Sequence, residues 1–94
     1  MSKVVTAAVE KLNARLNSFS STAKFVILDE GSILIDQDGA RVGDDEAEVT
    51  LTASRQTFEG ILDGSLNPAT AFMTGKLKID GNMGVAMQLG QALS

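Results

Sequence analysis

Three short stretches of this chain carry residue types at spacings that chemistry can use. Asp36-Gln37-Asp38-Gly39 begins like a calcium loop, in which alternating acids offer oxygen ligands to a hard cation. Gly81-Asn82-Met83-Gly84 has the GXXG form of an RNA-clamping loop. Thr74-Gly75-Lys76-Leu77 is similar to the end of a P-loop, whose lysine and hydroxyl would hold phosphate and magnesium. Each stretch fails at a neighbouring position. The calcium loop needs glycine where Arg41 stands and a bidentate glutamate where Ala47 stands. The GXXG stretch joins a strand to a helix with no basic neighbours, and the P-loop lacks its first glycine (Thr70) and its hydroxyl (Leu77). The plain reading of Asp36–Gly39 is a hairpin turn.

The composition removes further chemistry. There is no histidine, cysteine, tryptophan or tyrosine. The usual general base near neutral pH, the thiolate nucleophile and the commonest soft metal ligands are therefore missing. The expectation is a protein that is not an enzyme and uses no cofactor and no metal. A formal net charge of −4 argues against a nucleic-acid partner, which calls for a basic face. Eight of the twelve acids fall between Asp29 and Glu48, where Arg41 is the lone base; a solvated edge that resists strand-to-strand aggregation accounts for them. No apolar run approaches the ~20 residues of a membrane span, and the N-terminus lacks the apolar core of a signal peptide. These features predict a cytoplasmic protein with at most transient membrane contact. At 94 residues the whole chain, 1–94, reads as one domain, burying roughly 60–65% of its unfolded surface.

The elements that must position any site follow from periodicity. Val5, Ala8, Val9, Leu12, Leu16 and Phe19 recur at helical spacing, predicting a helix over Lys3–Asn17 ended by the Ser18–Thr22 cluster. Lys24–Asp29 and Ser32–Asp36 are β-rich runs around Glu30-Gly31, a hairpin pattern. A short strand near Ala40–Val42 follows, and Ala47–Thr52 alternates with Val49 and Leu51 inward. Ser54 can cap a helix whose Phe58, Ile61 and Leu62 share a face, ended by Asp63-Gly64. Asn67-Pro68 opens a short helix with Phe72 and Met73 inward, stopped at Gly75. The last strand puts Leu77 and Ile79 inward, with Lys76 and Lys78 pairing across strands with acids such as Glu48. A closing helix completes an α+β domain in which helices cover a mainly antiparallel sheet.

That closing helix is the most informative segment. After Asp80 no residue carries a side-chain charge. Val85, Ala86, Leu89, Ala92 and Leu93 share one side and Met83 and Met87 the adjacent flank. The apolar arc covers about 220°, where a surface helix needs little more than 100°. The methionine flank therefore needs a second apolar neighbour. Neighbouring helices, a lipid chain in a cavity and another subunit all satisfy that need, and unbranched methionines suit a neighbour of variable shape.

The run Leu66–Leu89 resembles the signature of the sterol carrier protein type 2 family. Its matching elements are Asn67-Pro68, Ala71-Phe72, Gly75-Lys76-Leu77-Lys78-Ile79 and Gly81-Asn82-Met83-Gly84 with Ala86-Met87. The resemblance implies a five-stranded sheet covered by helices, with an apolar tunnel between the sheet and the C-terminal helices. It also implies non-covalent binding of a fatty acid, acyl-coenzyme A, sterol, phospholipid or isoprenoid. The lining expected from periodicity is Phe58, Ile61, Leu62, Leu66, Phe72, Met73, Met83 and Met87, with Leu89 closing one end. Three departures narrow the analogy: the chain ends without a longer tail or a peroxisomal Ser-Lys-Leu signal, Gln88 stands where relatives often have lysine, and the chain is acidic. A small stand-alone, bacterial-type lipid carrier is the expectation, with a homodimer or a partner enzyme as further partners. The rival readings are a ligand-free oligomerisation or docking module of the same fold and, third, an acyl-CoA-processing enzyme.

Overall fold

The computed structural model describes residues 3–16 and 19–93. Its elements run α1 (Lys3–Arg15), β1 (Ala23–Ile27), β2 (Gly31–Asp36), β3 (Gly39–Val42), β4 (Val49–Ala53), α2 (Arg55–Asp63), α3 (Pro68–Met73), β5 (Leu77–Gly81) and α4 (Met83–Leu93). The expected order and α+β class hold. The expected helix end at Asn17, and Ser18 after it, lie outside the described residues.

The five strands form one sheet in the order β3-β2-β1-β4-β5. Three pairings are antiparallel, and the central β1–β4 pair is parallel. Strand alternation sends Ala23, Phe25, Ile27, Ile33, Ile35, Val49, Leu51, Ala53 and Leu77 to one buried face. That face carries the helices: α1 over β2 and β3, α3 over β5, and α4 over β1, β4 and β5. The other face bears Lys24, Thr50, Thr52, Lys78 and Asp80. A parallel pair needs a crossover, and here the segment 43–48 supplies it across that outer face. Gly43 comes down on Leu34, Lys24 meets Asp44 at 3.2 Å, and the Glu48 amide donates to the Thr22 hydroxyl at 3.0 Å.

Two sequence expectations shift. The first hairpin turns over residues 28–30, with Asp29 at φ 66°, because Ile27 pairs with Gly31 and leaves three residues for the loop. Gly31 is instead the first residue of β2, where a Cβ would lie 3.2 Å from Val5 Cγ2. Lys78 stands opposite Thr52 and not opposite an acid. The expected ion pair with Glu48 is not formed: Glu48 precedes β4, and its backbone carbonyl accepts from the Asn82 amide.

Local chemistry fixes the helices. Ser54 accepts from the Thr57 amide, and Gly64 closes α2 at φ 84°. Asn67 accepts from the Ala69 and Thr70 amides with Pro68 in the first turn. Arg15 reaches from α1 to donate to the Ile61 and Leu62 carbonyls, satisfying orphan acceptors at the α2 C-terminus. Asn13 pairs with both the amide and the carbonyl of Ala40, so α1 occupies the exposed edge of β3. Asp36 accepts from the Asp38 amide and pairs with Arg41 at 2.7 Å, which is the hairpin turn expected of Asp36–Gly39.

Two outcomes test this architecture. Gly81 sits at φ 115° with its Cβ position 2.5 Å from the Glu48 carbonyl oxygen, so Gly81→Ala should cost at least about 2 kcal/mol in urea denaturation. Gly64→Ala has open space and only the left-handed φ to overcome, and should cost about 1–2 kcal/mol. Separately, the Arg41 guanidinium, then the Asp38 amide, hold the Asp36 carboxyl below its ordinary value of 3.8. A depressed folded-state value gives stabilisation that is present at neutral pH and lost as the pH falls through it. Carboxyl NMR titration should show this shift shrinking in Arg41→Gln.

Candidate functional site

A cleft of about 350 Å³ opens between the sheet, α3 and α4, at the lower end of the ~300–1,000 Å³ typical of small-molecule sites. Its floor is the inner face of the sheet: Phe25 from β1, Leu51 from β4, and Leu77 and Ile79 from β5. Ile61 of α2 stands at the back. Pro68, Ala69, Phe72 and Met73 of α3 form one wall, and Met83, Ala86, Met87 and Gly90 of α4 the other, above Leu89 and Leu93.

The cleft lies between two helices that are anchored to the sheet in different ways. In α3, six residues long, Ala71 is the one buried side chain. The caps at Asn67 and Thr74 fix the register that points Ala71 at the sheet, and the Lys76 amide donates to the Ala71 carbonyl. A small residue at the contact lets the helix sit close to β5, while its larger neighbours go to the rim. In α4, Asn82 accepts from the Val85 amide and donates its own amide to the Glu48 carbonyl. The start of the helix is thereby tied to the start of β4. Val85, Ala86, Leu89 and Leu93 are buried, and Gly90 lies near Pro68, where a Cβ would be 3.8 Å from the proline Cβ.

Of the expected lining residues, Ile61, Phe72, Met73, Met83, Met87 and Leu89 come together here. Phe58 and Leu62 lie on the other side of α2, where they border a smaller groove against α1. Leu66 folds back on Gly60, its amide donating to the Gly60 carbonyl. Phe72 and Met73 do not point inward as expected: they are 43% and 83% exposed. One and a half turns leave room for one inward position, and Ala71 holds it. Met83 and Met87 are likewise 44% and 65% exposed. The sheet floor escaped the sequence reading of the site. The inward alternation of Leu51, Leu77 and Ile79 was visible, but alternation cannot say which part of a sheet face is left uncovered.

Among the described residues no acid or base lines the cleft, and its polar side chains are Asn67 and Gln91. Groups with shifted pKa stand elsewhere: Asp36 beside Arg41, and Asp63, which the Ser65 hydroxyl and amide hold below the ordinary aspartate range. Among the described residues no three His, Cys, Asp or Glu side chains gather where a metal ion could be held. The arrangement can desolvate an apolar group; it presents no nucleophile with a base beside it.

Known proteins share this architecture. The profile described as the SCP-2 sterol transfer family matches residues 3–94. Peroxisomal multifunctional enzyme A of Dictyostelium discoideum is 48% identical over 60 residues, 64% of this chain and 12% of that protein. Human sterol carrier protein 2 is 48% identical over 46 residues, 49% of this chain and 8% of that protein. The chain thus spans about a tenth of the length of these curated relatives. Among solved structures, sterol carrier protein 2 from Aedes aegypti in complex with palmitate superposes with a TM-score of 0.78 at 21% identity, covering 100% of this chain and 97% of that one. The apo form from Yarrowia lipolytica gives 0.69 at 23% identity, covering 98% and 75%. At these identities the likeness is one of fold.

Two truncations in α4 separate wall from core. Leu89 is fully buried, so Leu89→Ala should destabilise by about 2–5 kcal/mol. Met87→Ala, at an exposed rim position, should stay within about 0.5 kcal/mol of the parent protein. Chemical denaturation of both variants measures the difference.

Proposed function

The chain belongs to the SCP-2 sterol transfer family, and we propose that it binds one lipid non-covalently in the α3–α4 cleft and carries it or presents it to a partner enzyme. The observation that carries this reading is the cleft itself: an uncharged, apolar lining with Phe72, Met73, Met83 and Met87 exposed around it. Four large apolar side chains held in water around one opening are an unfavourable arrangement unless something apolar covers them. The ligand class is a fatty acid, acyl-CoA, sterol or isoprenoid; the palmitate complex of the Aedes aegypti protein supports a single acyl chain. Ile61, Phe72, Met73, Met83, Met87 and Leu89 would touch that chain, and Phe58, Leu62 and Leu66 would back the wall from behind.

Binding on this reading is desolvation. Each methylene moved from water contributes ~0.8 kcal/mol, so eight give about 6 kcal/mol before the costs of association. A carboxylate head would stay at the mouth, where Asn67 and Gln91 offer neutral amides and no lysine or arginine lines the wall. On this reading the chain contributes no chemistry to the lipid; among the described residues no titratable side chain is in the lining. No described helix is long and apolar enough to cross a membrane, and a cytoplasmic carrier is part of the same proposal.

The exposed rim also favours a second reading, in which a second copy of the chain covers it and the fold serves as a docking module. Native mass spectrometry separates the two: retained lipid mass supports the carrier, and a lipid-free dimer supports the module.

Palmitate at a hundredfold excess over Kd, kept below its aggregation threshold, should add ~2.7 kcal/mol of stability. For a domain of this size that raises Tm by roughly 10–20 °C. Met87→Lys should remain folded, since a lysine stem can lie along the rim with its ammonium in water, yet lose most of that shift. A variant that melts normally and still responds fully to palmitate would move the ligand away from α4.

A further inference from the structure

The cleft and the smaller groove between α1 and α2 are separated by one layer of side chains. Phe25 lines the cleft, Phe58 lines the groove, and their rings meet edge to face with centroids 4.8 Å apart. Both side chains are fully buried. The α2 helix completes the division, presenting Ile61 to the cleft and Leu62 to the groove. The groove holds about 180 Å³; Val4 and Ala8 of α1 with Phe58 and Leu62 of α2 give it an apolar strip, and Lys3, Lys11, Arg55 and Glu59 flank it with charge. An aromatic ring is a removable kind of partition, because it closes space with a single planar group that a smaller side chain would open.

We propose that the Phe25–Phe58 pair is the end wall that sets the longest lipid chain this protein accepts, with Phe58 as the specificity-determining residue. This rests on the carrier reading. A chain entering between α3 and α4 runs over Leu51 and Ile61 until it meets the paired rings, and further methylenes have no apolar space to enter. Were Phe58 smaller, the cleft would join the groove into one passage, and a longer chain would continue along the apolar strip.

The test is a saturated fatty-acid series from octanoate to arachidate, each below its micelle concentration, with Kd measured by calorimetry for the parent protein, Phe58→Leu and Phe58→Ala. In the parent protein Kd should fall about fourfold per added methylene and then level off at a definite length. Phe58→Leu should move that break to longer chains, gaining at least about fourfold for the first length beyond it. Phe58→Ala should move it further if the protein folds. The leucine variant keeps an apolar side chain in the layer, and circular dichroism of each variant reports its fold. A break at the same length in a folded Phe58→Leu overturns the proposal, as does a parent protein whose affinity rises without a break. A parent protein that binds no member of the series, and shows no palmitate shift, overturns the carrier reading and this inference with it. Binding with an immovable break overturns this inference alone.

Discussion

Four helices share one face of a five-stranded sheet, and the parallel pairing of β1 with β4 decides how they divide it. That pairing places the β1–β2–β3 half beside the β4–β5 half. The long α1 covers β2 and β3, and the C-terminal helices cover β5, β4 and β1. The two coverings differ in kind. Val5, Ala8 and Leu12 of α1 reach the core, and Asn13 and Arg15 fasten the helix to β3 and α2 by hydrogen bonds. Over β4 and β5 the covering is lighter, with α3 resting on Ala71 and α4 tied down at Asn82. A solid core forms under the first half and an open cleft under the second, and α2 stands at the boundary between them.

Much of this was legible in the residues because local chemistry set it. Ser54, Asn67 and Gly64 stop and start helices at the expected places, since a side-chain oxygen or a left-handed φ is needed there whatever the tertiary context. Inward and outward positions in β1, β4 and β5 follow from the pleat. The absence of charge after Asp80 marked α4 as a helix with more apolar surface than one neighbour can cover, and its methionine flank does face the cleft.

The rest was set by distances that no local pattern encodes. Phe72 and Met73 are the largest apolar side chains of α3, and size alone suggested that they faced inward. The register of so short a helix is instead fixed by its caps, and they aim Ala71. Phe58, Ile61 and Leu62 share a helix face at sequence level, but α2 stands between two spaces, so Ile61 goes one way and Phe58 and Leu62 the other. The partner of Lys78 depended on strand register, which puts Thr52 opposite it.

The crossover at 43–48 has a consequence for how the protein meets other surfaces. It carries Asp44, Asp45 and Glu46 across the sheet face that has no helices, while the cleft and its uncharged rim open on the opposite side. The molecule measures 29 × 26 × 22 Å, about three times the Debye length of about 8 Å at physiological ionic strength, or more. An anionic bilayer touching Met73 and Met87 is therefore screened from those acids, whereas one approaching the outer face meets them directly. On the carrier reading, it is this uneven placement of the acids, more than the formal total of −4, that would orient the molecule at an anionic surface.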